Sequence, residues 1–236
     1  FKSVVHELLW FLSGKTNIEY LKKNKVNIWD KNTSVEFLKK NNLDYKDGET
    51  GPIYGFQWRH FNARYLGDTT DYTGKGVDQI QNVIDLINNE PMSRRIFMSA
   101  WNPCQLDEMC LPPCHVSYQF YVTYNERNEK LLSCMMYQRS GDLFLGIPFN
   151  IASTALLTYL IGNITNCIPD KIYITIGDAH VYENHLVSVK EQLNRKSFRF
   201  PTIKIKKKKN INDFEINDIE LIGYNSHDKI KADMIA

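Results

Sequence analysis

The apolar positions at the start of the chain recur at the spacing of a helix. Within residues 1–12 they form one wide stripe, made of Val4, Val5, Leu8, Leu9, Phe11 and Leu12. This pattern predicts an amphipathic helix. Gly14 is expected to end it, because glycine readily adopts the left-handed conformation that follows a helix. Thr16 and Glu19 then have the spacing of a capping box, which predicts a short second helix over residues 17–23.

Three later segments also carry helical patterns. Residues 77–87 have one apolar stripe that is closed by Pro91, and its members are Val77, Ile80, Val83, Ile84 and Ile87. Residues 149–164 are apolar nearly all round, which is typical of a buried helix. Residues 183–193 are predicted to form a further helix.

Alternating patterns predict strands in the centre of the chain. Apolar and polar residues alternate over residues 116–124, and a polar turn at residues 125–130 leads into a second strand at residues 131–138. Residues 96–101 and 171–176 are also predicted to be strands. There is no internal repeat and no linker in the sequence. We therefore expect residues 1–236 to form a single α+β domain built on a large sheet.

Composition narrows the class of protein. The 236 residues are 43% hydrophobic and 24% charged, which suits one sizeable core. A net charge of only +2 does not indicate a nucleic-acid binder. No apolar run reaches the roughly 18 residues that span a bilayer. The five cysteines are an odd number at uneven spacing, which indicates a reducing compartment and a cytoplasmic protein.

The predicted hairpin brings a cysteine and an arginine to the same end of the sheet. If its strands pair antiparallel across the turn at residues 125–130, His115 faces Ser140. Cys114 then lies beside Arg139. A cationic neighbour favours the thiolate, which is the nucleophilic form of cysteine.

A cysteine by itself does not identify a nucleophile, since most are small core residues. Cys104, Cys110 and Cys114 could also suggest a metal site, but their spacings form no CxxC pair, which disfavours zinc. Two prolines directly before Cys114 restrict the backbone there. Together with Arg139 they favour a nucleophile.

Two further arginines, Arg94 and Arg95, are adjacent at the start of a predicted strand. Neighbouring strand residues point to opposite sides, so both could serve one site only with a partner chain nearby. An ordinary pair of charges at the edge of the strand is an equally good interpretation. With Arg139 they could instead clamp a dianionic phosphate, which suits guanidinium groups.

Four other polar residues could have either a functional or a purely structural role. Glu7 lies on or beside the apolar stripe of the first helix, where it is either a rim residue or a proton-shuttling carboxylate. Asn150 at the start of the buried helix is, by spacing, best explained as an N-cap. His180 and Tyr182 follow a strand and precede a helix, where binding sites are common, although a lone histidine is usually structural.

Several segments match a known family in order and nearly letter for letter. They are HELLWFL (6–12), IWD (28–30), GPIYG (51–55), QWR (57–59), SRR (93–95), LPPCH (111–115), QRSGD (138–142), GIPFNIAS (146–153) and GDAHVY (177–182). In these motifs the chain resembles the thymidylate synthases over its whole length. The resemblance implies their fold, a large mixed β-sheet flanked by helices with one sheet face at the interface of an obligate homodimer.

The resemblance also implies a reaction, the reductive methylation of dUMP to dTMP by a methyltransferase. Cys114 matches the nucleophile that attacks C6 of dUMP, and Glu7, Tyr54, Asn150 and His180 match the other catalytic residues. Asn150 matches the amide that reads uracil O4 and N3. The dUMP ligands implied in one subunit are Gln138, Arg139, Ser140, Gly141, Asp142, Asn150, His180 and Tyr182. Arg94 and Arg95 match phosphate ligands that the other subunit donates.

A reduced folate, 5,10-methylenetetrahydrofolate, is the implied co-substrate, and no metal is implied. The folate-binding positions that match are Ile28, Trp29, Asn32, Asp142, Leu145, Gly146, Phe149, Ile235 and Ala236. The family has an N-terminal segment with a further arginine, and this chain starts at Phe1, so we expect upstream residues in the natural protein. The same domain also occurs behind a dihydrofolate reductase.

Two alternatives compete with this function. A sister enzyme that hydroxymethylates dCMP resembles the same fold but has aspartate at the position of Asn150, so Asn150 disfavours it. An RNA-binding module could use the run Lys206, Lys207, Lys208 and Lys209, but such runs are usually a solvated edge. A catalytically dead copy would be expected to lose Cys114, Arg139 or Asn150, and all three are present.

Overall fold

The structure is a computed structural model that describes residues 1–232. Its helices are α1 (Lys2–Leu12), α2 (Glu19–Lys23), α3 (Val35–Lys40), α4 (Tyr54–His60), α5 (Gln79–Asn89), α6 (Gly146–Thr165) and α7 (Leu186–Leu193). Its strands are β1 (Phe97–Ser99), β2 (His115–Tyr124), β3 (Lys130–Asp142), β4 (Ile168–His180), β5 (Thr202–Ile205) and β6 (Ile219–Ile222). The mixed α and β content agrees with the predicted fold class.

The principal sheet is mixed, with strand order β1-β2-β3-β4. β1, β2 and β3 pair antiparallel, whereas β3 and β4 pair parallel and are connected through α6. A parallel pair needs such a crossover, because its strands begin at the same edge. β5 and β6 form a separate antiparallel hairpin. Several of the candidate site residues described below lie at the ends of β3 and β4.

The two faces of the principal sheet differ in burial. On β2 the predicted alternation is confirmed, since Tyr118, Phe120 and Val122 are buried against the helices. The opposite face is open and aromatic, and its exposed large side chains are Phe97, Tyr121, Met135, Tyr137 and Tyr173. A contiguous exposed apolar surface of this kind is typical of a protein interface.

The capping box predicted for the second helix, with Thr16 as the N-cap residue and a start at residue 17, is wrong. α2 begins at Glu19, and Asn17 Oδ1 accepts the Glu19 N–H at 2.8 Å. Thr16 instead shares a hydrogen bond of 2.9 Å with the Tyr65 hydroxyl. The end of α1 is as predicted, with Gly14 at a φ of +70°. A side chain there would be strained, and its Cβ would approach Arg59 Cβ within 3.1 Å.

The buried helix α6 is one turn longer than the predicted segment at its start. It is long and apolar enough to cross a membrane by length and composition alone. Leu156, Leu157, Leu160 and Ile161 are almost completely buried inside the protein. The core helix of a globular domain has the same composition, and this one packs against α1 and the sheet.

The lysine run at residues 206–209 is largely engaged within the chain. Lys206 and Lys208 pair with the buried Asp218 at 3.2 and 2.8 Å. Lys207 Nζ donates to the Asn163 carbonyl and, at 2.7 Å, to Asn166 Oδ1. These bonds favour a structural role over an RNA contact.

Candidate active site

The register of the β2–β3 hairpin differs from the prediction by one residue, and a bulge shifts it once more. Tyr124 pairs with Lys130, and between His115 and Ser117 the ladder slips so that His115 faces Gln138. The predicted pairing of His115 with Ser140 is therefore wrong. Asn128 in the turn has a φ of +58°, and this tight turn sets the register that pattern alone left open.

Cys114 and Arg139 nevertheless come together as expected. The Arg139 backbone N–H donates to the Cys114 carbonyl at 2.8 Å, and Arg139 Nη2 lies 3.9 Å from Cys114 Sγ. The guanidinium also donates to the Pro113 carbonyl through Nε and to the Pro112 carbonyl through Nη2, both at 2.9 Å. A half-buried thiol beside a fixed guanidinium is a candidate nucleophile.

Tyr54 connects the first turn of α4 to the cysteine. Its hydroxyl accepts the Cys114 backbone N–H at 2.7 Å, and its ring stacks on His115 with the centroids 4.1 Å apart. Burial, together with the nearby Cys114, raises the pKa of Tyr54 well above its ordinary value. Burial also lowers the pKa of His115 to about 3, so this ring stays neutral. The phenol therefore remains protonated beside the thiol.

Glu7 is held by Trp29 at the edge of the same cluster. Trp29 Nε1 donates to Glu7 Oε1 at 2.8 Å, and the Trp29 ring meets Tyr54 edge-on at 6.1 Å. Burial raises the pKa of Glu7 to about 7, and the hydrogen bond from Trp29 opposes part of that rise. The residue keeps limited access to solvent. A carboxyl group that exchanges its proton near neutral pH is suited to acid–base chemistry.

Asn150 is not an N-cap. α6 begins at Gly146, so Asn150 lies inside the helix, and its Oδ1 accepts from Gln138 Nε2 at 3.0 Å. Gln138 is buried and also donates to the Ser140 carbonyl at 2.9 Å. The spacing argument failed because the helix starts one turn earlier than its apolar pattern suggests. The bond from Gln138 fixes which way the Asn150 amide faces.

The ends of β3 and β4 bring together another group of predicted residues. Asp142 pairs with His180 in the parallel ladder. Its carboxylate accepts the backbone N–H groups of Phe144 and Leu145 at 3.0 and 3.3 Å. The ring of Tyr182 meets the His180 ring edge-on at 5.1 Å.

Gly141 allows the end of β3 to approach the first turn of α6 closely, since a Cβ added at Gly141 would lie 2.6 Å from Ile147 Cδ1. Ser140 is directly before it on β3, opposite Asp178. The end of β3 therefore packs closely against the first turn of α6, which carries Asn150.

Arg94 and Arg95 do not join this cluster within the chain. They lie in an exposed turn before β1, so the prediction that they sit on a strand and face opposite sides is wrong. The next residue, Ile96, accepts the Phe120 N–H through its carbonyl at 2.8 Å. Phe120 is six residues beyond Cys114 along β2, so at about 3.3 Å per residue the arginines are about 20 Å away.

The positions that match folate ligands differ in their burial. Trp29 and Asn32 are buried, Ile28, Leu145 and Gly146 are half-buried, and Phe149 is exposed. Asn32 Nδ2 has no hydrogen-bond partner among residues 1–232, which leaves a buried donor for a ligand. The predicted ligands Ile235 and Ala236 lie outside the described residues.

The pattern analysis missed two residues at the site. Trp101 lies under Arg139, with the guanidinium carbon 5.7 Å from the ring centroid. His185 is buried, with Nδ1 4.0 Å from Asp142 Oδ1. Neither belongs to a chemical motif, so nothing short of tertiary structure distinguishes them from core residues. In residues 1–232 no group of three or more His, Cys, Asp or Glu is placed to hold a metal ion.

A cysteine 3.9 Å from a guanidinium at the end of a mixed sheet, with a buried carboxyl group in the same cluster, is an arrangement typical of enzymes that use a cysteine nucleophile. The chain belongs to the thymidylate synthase family, whose model matches residues 1–236. It is 50% identical over 235 residues to the thymidylate synthase of Homo sapiens, covering 99% of this chain and 74% of that protein. For the thymidylate synthase of Saccharomyces cerevisiae the identity is 48%, with coverages of 99% and 79%.

Bifunctional relatives match equally well over part of their length. The chain is 50% identical to the bifunctional dihydrofolate reductase-thymidylate synthase of Zea mays, covering 99% of this chain and 44% of that protein. It spans about half the length of such relatives, as for the protein of Paramecium tetraurelia, of which it covers 50%.

Proposed function

We propose that the protein is a thymidylate synthase that converts dUMP to dTMP with 5,10-methylenetetrahydrofolate and releases dihydrofolate. The observation that carries this function is the Cys114 thiol, 3.9 Å from a guanidinium that two carbonyls hold in place. The Cys114 thiolate adds to C6 of the uracil ring. The resulting enolate attacks the folate methylene through C5, and loss of the C5 proton then breaks the bond between that methylene and the folate nitrogen, which leaves an exocyclic methylene on the base and frees tetrahydrofolate. Tetrahydrofolate gives a hydride to this methylene as the Cys114–C6 bond breaks, and the products are dTMP and dihydrofolate.

The residues around Cys114 suit the recognition of dUMP. Arg139 and Ser140 bind the phosphate, and His180 with Tyr182 binds the ribose hydroxyl at the ends of β3 and β4. Asn150 reads the uracil edge with an amide whose orientation Gln138 sets, at 3.0 Å. Uracil presents an acceptor at O4 and a donor at N3, which matches an amide.

Residues next to the dUMP ligands carry out proton transfer and bind the folate. Glu7, with its pKa of about 7, exchanges protons around O4, and Tyr54 lies beside the C5 proton. The folate lies along Trp29 and Phe149, with Asp142 as the pterin ligand. The implied positions Ile28, Asn32, Leu145, Gly146, Ile235 and Ala236 complete this pocket.

We further propose a cytoplasmic homodimer with shared sites, in which residues 1–236 are one catalytic domain. The exposed aromatic face of the principal sheet supports the dimer, because its exposed apolar side chains extend across all four strands, as is typical of a protein interface. The separation of about 20 Å between Arg94 and Cys114 along β2 supports a site to which the arginines come from the partner.

The direct test of the function is tritium release from dUMP tritiated at C5. We expect release that depends on methylenetetrahydrofolate and is accompanied by dTMP. A protein that releases tritium but forms hydroxymethylated product, or that prefers dCMP, would contradict the proposed reaction.

Asn150→Asp is expected to weaken dUMP binding and strengthen dCMP binding. A protonated carboxyl group can present the donor and acceptor pattern opposite to that of the amide, which suits cytosine. We expect the ratio of the two dissociation constants to change by at least about tenfold, since each lost hydrogen bond leaves a buried partner unpaired. The two constants can be measured by calorimetry. An unchanged ratio would mean that Asn150 only supports α6.

Shared sites predict complementation between two inactive variants. Cys114→Ser subunits mixed with Arg94→Ala/Arg95→Ala subunits should regain about a quarter of the wild-type activity after random exchange. Half of the dimers are then mixed, and one of their two sites has both intact parts. Exchange is checked with differently tagged subunits. If mixed dimers form and remain inactive, the arginines do not act across the interface.

A further inference from the structure

Trp101 holds the arginine that faces the candidate nucleophile. Trp101 follows β1, and its backbone N–H donates to Ser99 Oγ at 3.1 Å. The backbone N–H of the preceding residue, Ala100, donates to the Val116 carbonyl at 2.8 Å. These bonds hold the Trp101 backbone beside the start of β2, and the Arg139 guanidinium carbon lies 5.7 Å from the Trp101 ring centroid. Within about 6 Å an aromatic face attracts a cation.

The anchors of Arg139 share one property, which is that none of them is charged. They are the Pro112 and Pro113 carbonyls and the Trp101 ring. Among residues 1–232 no carboxylate lies within 4.0 Å of this guanidinium, whereas Arg59 pairs with Asp78 at 3.0 Å. A carboxylate anchor would neutralise much of the positive charge, but neutral anchors leave it acting on the nearest group that can become negative.

We propose that Trp101 is a positioning residue that fixes Arg139 without neutralising it, so that the full positive charge favours the Cys114 thiolate. The idea rests on the proposed function only in taking Cys114 as the nucleophile. Trp101 acts through Arg139 and needs no contact with dUMP. Its effect is therefore visible in the free protein.

The test measures the alkylation of Cys114 by iodoacetamide as a function of pH, without dUMP or folate. Every variant carries Cys104→Ser, because Cys104 is exposed, whereas Cys110, Cys134 and Cys167 are buried. A Cys104→Ser/Cys114→Ser protein supplies the baseline. Thermal melts establish which variants are folded.

Trp101→Leu is expected to slow alkylation at neutral pH about three- to tenfold and to move the midpoint of the pH profile upward, since the aromatic contact is lost. Trp101→Phe keeps an aromatic face and should remain close to wild type. Trp101→Met is a second non-aromatic variant and should behave like Trp101→Leu. Simple loss of packing would lower the melting temperature without separating Phe from the two aliphatic side chains in the pH profile.

The inference is overturned if folded Trp101→Leu or Trp101→Met has the wild-type pH profile. It is also overturned if both variants fail to fold, because Trp101 then belongs to the core. The proposed function is judged separately, by dTMP formation in the wild-type protein. An active wild type with unchanged variant profiles refutes only the role of Trp101, and an inactive wild type with shifted profiles refutes only the reaction.

Discussion

Cys114→Ser is expected to lower dTMP formation by at least about a thousandfold while leaving dUMP binding within a few-fold of wild type. A serine hydroxyl at neutral pH is a far weaker nucleophile than a thiolate beside a cation. In the proposed function the phosphate, ribose and uracil are bound by other residues, so we expect the affinity not to depend on the covalent bond. Single-turnover assays with excess enzyme measure the chemistry, and calorimetry measures binding.

Cys110→Ser is the matched control for this variant, four residues away in the same segment. Burial raises the pKa of the Cys110 thiol to about 12, which keeps it a neutral core group. A buried thiol of this kind is chemically inert. We expect Cys110→Ser to retain most of its activity, with at most a modest loss of stability. Substantial turnover by Cys114→Ser, or inactivity of both folded proteins, would contradict the assignment of the nucleophile.

The juxtaposition of Cys114 and Arg139 shows which structural features can be predicted from pattern. Hairpin pairing needs only two alternating runs and a polar turn, and those were enough to place both residues at one end of the sheet. The exact register was out of reach, because it depends on the turn conformation at Asn128 and on a bulge after His115. The conclusion survived since Arg139 and Cys114 remain neighbours under a slip of one or two residues.

Helix boundaries limited the interpretation of Asn150. Gly146 and Pro148 weaken the helical pattern, although proline is tolerated in the first turn of a helix. α6 therefore starts before its apolar pattern does, and the residue assigned to the cap lies inside it. The bond from Gln138 to Asn150 joins a strand to a helix twelve positions later along the chain, and no local periodicity encodes such a contact.

Glu7→Gln is expected to reduce dTMP formation about a hundred- to ten-thousandfold, the usual range for loss of a general acid–base group. The same substitution should change how stability depends on pH. Burial raises the folded-state pKa of Glu7 from 4.5 to about 7, so the folded protein binds this proton more tightly than the unfolded chain does. The resulting stabilisation is complete below about pH 4.5 and is lost as the pH rises through about 7.

A shift of that size corresponds to about 3 kcal/mol in the free energy of unfolding. The quantity to measure is the difference in unfolding free energy, wild type minus Glu7→Gln, by urea denaturation from about pH 4 to about pH 8. Taking the difference cancels the other titrating groups, and we expect it to fall by about 3 kcal/mol across this range. Glu126→Gln, in the exposed turn of the hairpin, is the control for loss of a carboxyl group at the surface. If the difference for Glu7→Gln is flat, the folded-state pKa of Glu7 is not raised, the carboxyl group is ionised at neutral pH, and another group must move the protons around the uracil ring.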